Sequence, residues 1–409
     1  MHPLLHDLAA GTVGVDHLRT ALEVSGGPLR EFTTDGTVRL TFVWIGDAPS
    51  VSLQCGLARP ATSVAMTRLA VSDVWWTTLT ADTDTMVSYR FVIDDPFADA
   101  GPLDERRWQA LMLLAQQRSF ADPCNHHRIP PLAALFGLEV TPEQHESVLA
   151  LHDAPAATWF EPHDAPAGSL HRFTLTSAAM GSARDITVWT PSHPGTNHPL
   201  VVLLDGTSFL HLGGIDRAVD LAVARGEVRA PVVAFVHEAH DTTGLDERTR
   251  ELSCNPAHAT MLTDELIPEL RRRFPVAGGP ADTVLGGASL GGLASAFAAC
   301  ERPDVVGNVL SVSGSFWYGV ERDGATEWLT RLLRERPVPG LRWYQQIGRY
   351  EDAPLDAAPG VTHLEANRRL HALLVAQGVD VTYEELGTAH DVCAFRLAVM
   401  HGLRALLRH

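Results

Sequence analysis

One short segment, Gly286-Gly287-Ala288-Ser289-Leu290-Gly291-Gly292, constrains this chain more than any other. It contains Gly-x-Ser-x-Gly at Gly287, Ser289 and Gly291. Thr283-Val284-Leu285, β-prone, precedes it, and the helix-forming run Leu293 to Ala299 follows. A serine hydroxyl becomes reactive when a sharp strand-to-helix turn exposes it beside a base. The backbone at such an apex is strained, and its flanks must be small for helix and strand to approach. Gly287, Ala288, Gly291 and Gly292 meet that requirement. The N–H of Leu290, first in the helix, is then aimed at a developing oxyanion. A Gly-rich strand–helix connection without chemistry is the plainer alternative, and the flanking strand and helix patterns argue against it.

The rest of the chain supplies a sheet for that turn. Beyond about Ser169, Ile186 to Pro191, Leu200 to Leu204, Pro231 to Val236, Thr283 to Leu285, Val309 to Ser313, Arg342 to Ile347 and Val381 to Leu386 read as strands. Several are continuous apolar runs, as strands buried on both faces require. Helical patterns lie between them, including Ile215 to Arg225 and Met261 to Arg273, so the expected sheet is parallel and doubly wound. Earlier in the chain, Val38 to Trp44, Val51 to Cys55 and Met86 to Val92 alternate, with turn residues at Gly46-Asp47-Ala48-Pro49 and Asp94-Asp95-Pro96. The expectation is an α/β protein: an α/β-hydrolase domain over about 165–409, preceded by a smaller β-sandwich (Ig-like) domain over about 1–150 that assists with substrate. Residues from about Phe120 to Gly168, rich in Pro, Ala and His, read as an irregular connector.

In α/β-hydrolases the triad runs serine, acid, histidine. Among the histidines after Ser289, His390 follows the strand ending at Leu386 and precedes the last helix, where a catalytic imidazole belongs. His363 sits in a loop or at a helix start, and His371 within a helical stretch. The acid should follow the preceding strand, where Glu351 and Asp352 stand side by side. Either can orient the His390 ring, and Glu351 is favoured. A second oxyanion donor is expected after the strand ending at Leu204, at Gly206 and Thr207.

Five scattered cysteines without any Cys-x-x-Cys argue against a disulfide framework and a structural zinc site, and for a reducing compartment. A formal charge of −17 disfavours nucleic acid and anionic membrane as partners. No apolar run approaches the ~20 residues of a membrane span, and the N-terminus lacks a secretory signal pattern, so a cytoplasmic location is expected. His237-Glu238-Ala239-His240-Asp241 and Cys124-Asn125-His126-His127 lack metal-ligand spacing. Neither metal nor cofactor is expected.

Together these segments resemble the enterochelin (ferric enterobactin) esterase family. The resemblance rests on Leu203-Leu204-Asp205-Gly206, Arg248-Thr249-Arg250-Glu251-Leu252-Ser253-Cys254-Asn255, the Ser289 segment, Ser311 to Trp317, and Gly387-Thr388-Ala389-His390-Asp391. In the first half Phe42 to Trp44, Met66 to Leu69, Val74 to Trp76, Tyr89 to Phe91, Asp104 to Trp108 and Ala121 to Asn125 carry it. It implies hydrolysis of the ester (trilactone) bonds of a ferric catecholate siderophore such as enterobactin, an iron-loaded small-molecule substrate, in the cytoplasm. It also implies Ser289 as nucleophile, His390 as base and Glu351 or Asp352 as acid. The Arg-x-x-Glu-Leu-x-x-Asn segment, with Arg248, Arg250, Glu251 and Asn255, is the expected substrate-binding part. Ferric tris-catecholate is a trianion that a chain at −17 repels at long range, so a nearby arginine must attract it, with Glu251 steadying Arg248 or Arg250. Arg106, Arg107 and Trp108 are candidates for a basic, aromatic wall. The alternatives are a serine esterase or acyltransferase for another ester, such as a carbohydrate ester, and a non-catalytic siderophore-binding protein.

Overall fold

The computed structural model describes residues 1–58, 63–70, 72–98, 100, 105–131, 139–193, 195–238, 245–355 and 357–408. The chain divides into two compact units. One comprises Met1–Pro155 with Gly387–Ala394, the other Ala156–Leu386 with Phe395–His409.

The first unit begins with helices α1 (Pro3–Ala9) and α2 (Val15–Ser25). Seven strands follow: β1 (Leu29–Phe32), β2 (Thr37–Ile45), β3 (Val51–Cys55), β4 (Ser63–Ala65), β5 (Thr67–Arg68), β6 (Val74–Asp82) and β7 (Met86–Ile93). Helix α3 (Glu105–Gln117) leads to β8 (Ser119–Phe120), β9 (Arg128–Ile129) and β10 (Glu146–Ala150). One sheet has the order β1-β2-β6-β5, the other β4-β3-β7-β10-β9 with β8 on β7. All their pairings are antiparallel. The alternating apolar residues of β2 and β7 make this sandwich possible. Phe42 and Tyr89 meet edge to face at 5.0 Å, and Leu5, Leu18 and Leu22 bring both N-terminal helices onto a buried cluster with Val43 and Val74. The expected connector from Phe120 onward is corrected here, because β10 pairs along both edges, with β7 and with β9. The side chains of Arg106 and Trp108 lie outside the described residues, and the Arg107 side chain is exposed.

The second unit opens with β11 (Ser169–Ser177), β12 (Ser182–Thr190) and β13 (Leu200–Leu203), then α4 (Ile215–Ala224) and β14 (Val232–Val236). Helices α5 (Leu245–Leu252), α6 (Pro256–Thr260) and α7 (Ile267–Arg273) lead to β15 (Thr283–Ala288) and α8 (Leu290–Glu301). Strand β16 (Asn308–Val312), helices α9 (Val320–Asp323) and α10 (Trp328–Glu335), and β17 (Arg342–Gly348) come next. A short hairpin of β18 (Pro354–Leu355) and β19 (Ala358–Thr362), helix α11 (His363–Ala376), β20 (Asp380–Leu386) and α12 (Val392–Leu406) complete the chain. The eight-stranded sheet runs β11-β12-β14-β13-β15-β16-β17-β20. From β14 to β20 its pairs are parallel, and β11 and β12 add an antiparallel edge. Strands β13, β14, β15 and β16 are buried along their whole length, which explains their continuous apolar sequences.

This is an α/β-hydrolase fold preceded by a smaller β-sandwich. All five cysteines are thiols rather than disulfides, four of them buried. Among the described residues, no helix is long and apolar enough to cross a membrane.

Candidate active site

Ser289 stands between β15 and α8 with φ 57° and ψ −122°. A non-glycine residue at positive φ is strained, and the surroundings hold this one in place. Its N–H donates to Val312 O at 2.9 Å, and its carbonyl accepts from Ser315 N at 2.9 Å and Leu293 N at 3.2 Å. The small neighbours are sterically required. A Cβ on Gly287 would lie 2.7 Å from the Gly291 carbonyl carbon, and one on Gly292 would lie 2.8 Å from Ser311 Oγ. Leu290 is the first residue of α8, so its N–H is among those without an intrahelical partner. The Ser289 hydroxyl is half-buried and 3.2 Å from Ser315 Oγ.

The loop after β16 joins the Ser289 turn to a buried carboxylate. Ser313, at φ 44°, donates its hydroxyl to Glu351 Oε1 at 2.6 Å, and Gly348 N donates to the same oxygen at 2.9 Å. Glu351 is buried, whereas Asp352 is exposed. His363, first residue of α11, is buried beside it, with Nδ1 3.6 Å from Glu351 Oε2 and Nε2 3.1 Å from Gly314 O. Asn367, one turn later, donates to the same carbonyl at 2.8 Å. Sequence reading placed His363 only as a loop or helix-start histidine, carried Ser313 and Ser315 only within the Ser311 to Trp317 segment, and did not single out Asn367. The signals available were the Ser-x-Ser-Gly-Ser run after a buried strand and Thr362 as a helix cap, whose hydroxyl accepts from Glu365 N at 3.1 Å.

The carboxyl end of β13 forms the other flank. Asp205 has φ 57°, and Gly206 lies so close to β14 that a Cβ there would be 2.7 Å from the Phe235 carbonyl carbon. Thr207 Oγ1 is 2.9 Å from His237 Nδ1, and His237 Nε2 is 2.8 Å from Thr187 Oγ1. Both ring nitrogens of His237 therefore have protein partners. His240 and Asp241 lie outside the described residues. Asp205 accepts both Arg248 Nε at 2.6 Å and Nη2 at 2.7 Å, the paired geometry that makes guanidinium–carboxylate contacts strong. Its Oδ2 also lies 2.7 Å from where a Gly291 Cβ would be, so this ion pair rests against the serine turn. A small cleft opens here, lined by Asp205, His237, Glu238, Arg248 and His258 among others. Burial raises the pKa of Glu238, and the charge of Asp205 raises it further, while Thr207 and Arg248 act the other way. Burial, helped by Arg184, lowers the pKa of His258 to about 3.

Part of the expected substrate-binding set has other duties. Glu251 is buried and pairs with Arg184 of β12. Arg250 is exposed and turns back to Glu247. Asn255 caps α6, accepting Ala257 N at 2.9 Å, and its amide donates to Arg250 O at 3.2 Å. Of these four, Arg248 and Glu251 line the cleft, and the Arg248 side chain stays 23% exposed.

His390 stands four residues beyond β20, exposed, in the segment Gly387–Ala394 that belongs to the first unit.

A parallel sheet whose central strand turns through a strained serine into a helix defines an α/β-hydrolase, here a carboxylic ester hydrolase. A profile described as "Putative esterase" matches residues 177–406, and one described as "Enterochelin esterase, N-terminal" matches residues 39–160. The chain belongs to the enterochelin esterase family. It is 27% identical to the iron(III) enterobactin esterase of Dickeya dadantii (strain 3937), over 93% of this chain and 90% of that one. With the iron(III) salmochelin esterase of Escherichia coli O6:H1 it shares 25% identity over 90% and 87%. The crystal structure of ferric enterobactin esterase from Salmonella typhimurium superposes with a TM-score of 0.79 at 24% identity, covering 96% of this chain and 98% of that one.

Proposed function

We propose that this protein is a serine esterase that hydrolyses the ester bonds of an iron-loaded catecholate siderophore such as enterobactin, in the cytoplasm. The observation that carries the reading is the strained serine turn at Ser289, in a chain that matches a putative-esterase profile over residues 177–406 and an enterochelin esterase N-terminal profile over residues 39–160. Curated relatives named iron(III) enterobactin and salmochelin esterases support the substrate class. Five cysteines in the thiol form fit a reducing compartment.

Ser289 Oγ attacks the ester carbonyl carbon while His390 accepts its proton. The carbonyl electron pair moves onto oxygen, which the Leu290 N–H and the Gly206–Thr207 backbone stabilise. Collapse breaks the ester C–O bond, and His390 returns the proton to the departing serine oxygen of the trilactone. Water then repeats the sequence on the acyl-enzyme. Glu351 orients the imidazole and offsets its charge. Arg248 is the arginine we assign to the anionic substrate.

The test is chromatography of ferric enterobactin incubated with the protein, beside a simple acetyl ester and a fluorophosphonate probe. The expected result is ring opening of the siderophore and labelling that disappears in Ser289→Ala. Turnover of the acetyl ester alone would remove the siderophore and leave a general esterase. Labelling that persists in Ser289→Ala would remove the nucleophile.

A further inference from the structure

The segment carrying His390 is built into the edge of a strand in the first unit. Strand β3 pairs with β7 only as far as Cys55 opposite Tyr89. Beyond that point the same edge of β7 still presents the N–H groups of Ser88 and Met86, and exposed strand edges seek a partner. Residues 387–391 take the place that β3 vacates. Met86 N donates to Gly387 O at 2.8 Å, and Ser88 N donates to Asp391 Oδ2 at 2.9 Å.

Two close approaches complete the seat. A Cβ on Gly56, just past the end of β3, would lie 2.3 Å from Ala389 Cβ. A Cβ on Gly387 would lie 2.7 Å from Asp84 Oδ1. Alternate residues 387, 389 and 391 are thus held by the first unit, while His390, between two of them, is exposed.

Asp391 joins two elements. Its Oδ2 takes the β7 edge, and its Oδ1 takes Ala394 N at 2.9 Å and Cys393 Sγ at 2.9 Å in the first turn of α12. Burial raises the pKa of this carboxyl, and the hydrogen bonds from Cys393, Ser88 and Ala394 oppose the rise.

We infer that the first unit is the mount for the catalytic base, with Asp391 as the positioning residue that ties the His390 loop to the edge of β7. The inference rests on the reading of His390 as base. A unit expected to assist with substrate then sets the turnover rate itself.

The test uses the full chain with Asp391→Asn, Gly56→Val and His390→Ala. Asparagine caps a helix as well as aspartate does, but it keeps only one acceptor oxygen, so the cap survives and the tie to Ser88 is lost. Gly56→Val pushes on Ala389 from the other side. Both should lower kcat about 100-fold, the scale of a 1 Å misplacement, with KM within about threefold and the thermal midpoint little changed. Wild-type kcat in both, with His390→Ala inactive, overturns the mount and leaves the base. An active His390→Ala overturns the base and the mount with it. Hydrogen exchange on the wild-type chain tests the same tie without substitution. The Met86 and Ser88 amides should exchange as slowly as Val87, and exchange at the rate of an open loop overturns the inference.

Discussion

At Glu351 and Asp352, two adjacent carboxylates meet opposite surroundings. Sequence admits both, because both follow β17 and both can orient an imidazole, and it favours Glu351 with Asp352 as the rival. Folding separates them: Glu351 turns inward to receive Ser313 Oγ and Gly348 N, and Asp352 turns outward. A buried carboxylate with fixed donors keeps its position through a catalytic cycle better than an exposed one. Glu351→Gln should therefore lower kcat by roughly 10,000-fold, as loss of a triad acid does, while Asp352→Asn should stay within about threefold. Steady-state kinetics on an acyl ester separates the two, and the reverse order would move the acid to Asp352.

Among the elements, the legible ones were those whose neighbours in sequence decide their state. The central strands read as apolar runs because both faces are buried, and the serine turn announced itself through its glycines. Strand β11 escaped notice because most of its residues are exposed, leaving Leu170 to Thr176 without an apolar face. Strand β10 was lost in a Pro- and His-rich stretch, and its membership is decided by β7, distant in sequence. The same non-locality hid Arg184 as the partner of Glu251. Around α6 it also yields a pH dependence. His258 is buried and neutral in the fold with a pKa of about 3, against 6.5 when unfolded. Below pH 6.5 the unfolded chain binds a proton that the folded chain refuses, so stability falls as pH falls from 6.5 toward 3. The slope from this group approaches about 1.4 kcal/mol per pH unit. The thermal midpoint of the wild type should drop more steeply between pH 6.5 and 4.5 than that of His258→Gln, and equal slopes would show a solvated imidazole.

Across the whole molecule, charge governs encounter. A formal −17 repels a trianionic ferric catecholate at distances where the two cleft arginines, Arg184 paired with Glu251 and Arg248 paired with Asp205, are not felt. Screening shortens that repulsion from about 30 Å at 10 mM salt to about 10 Å at 100 mM. Accordingly kcat/KM for the ferric siderophore should rise several-fold over that range while a neutral acetyl ester stays flat. A fall would mean that local arginine attraction dominates the approach. The division of the chain has a further consequence for synthesis. The first unit comprises Met1–Pro155 together with Gly387–Ala394, yet the ribosome delivers the first stretch long before the second. Until residues 156–386 have been translated, the nascent sandwich must emerge with the Met86 and Ser88 amides unsealed, an adhesive border during vectorial folding. Chaperone occupancy on translating ribosomes should therefore persist on the finished N-terminal half and end only once the histidine-bearing peptide has been made.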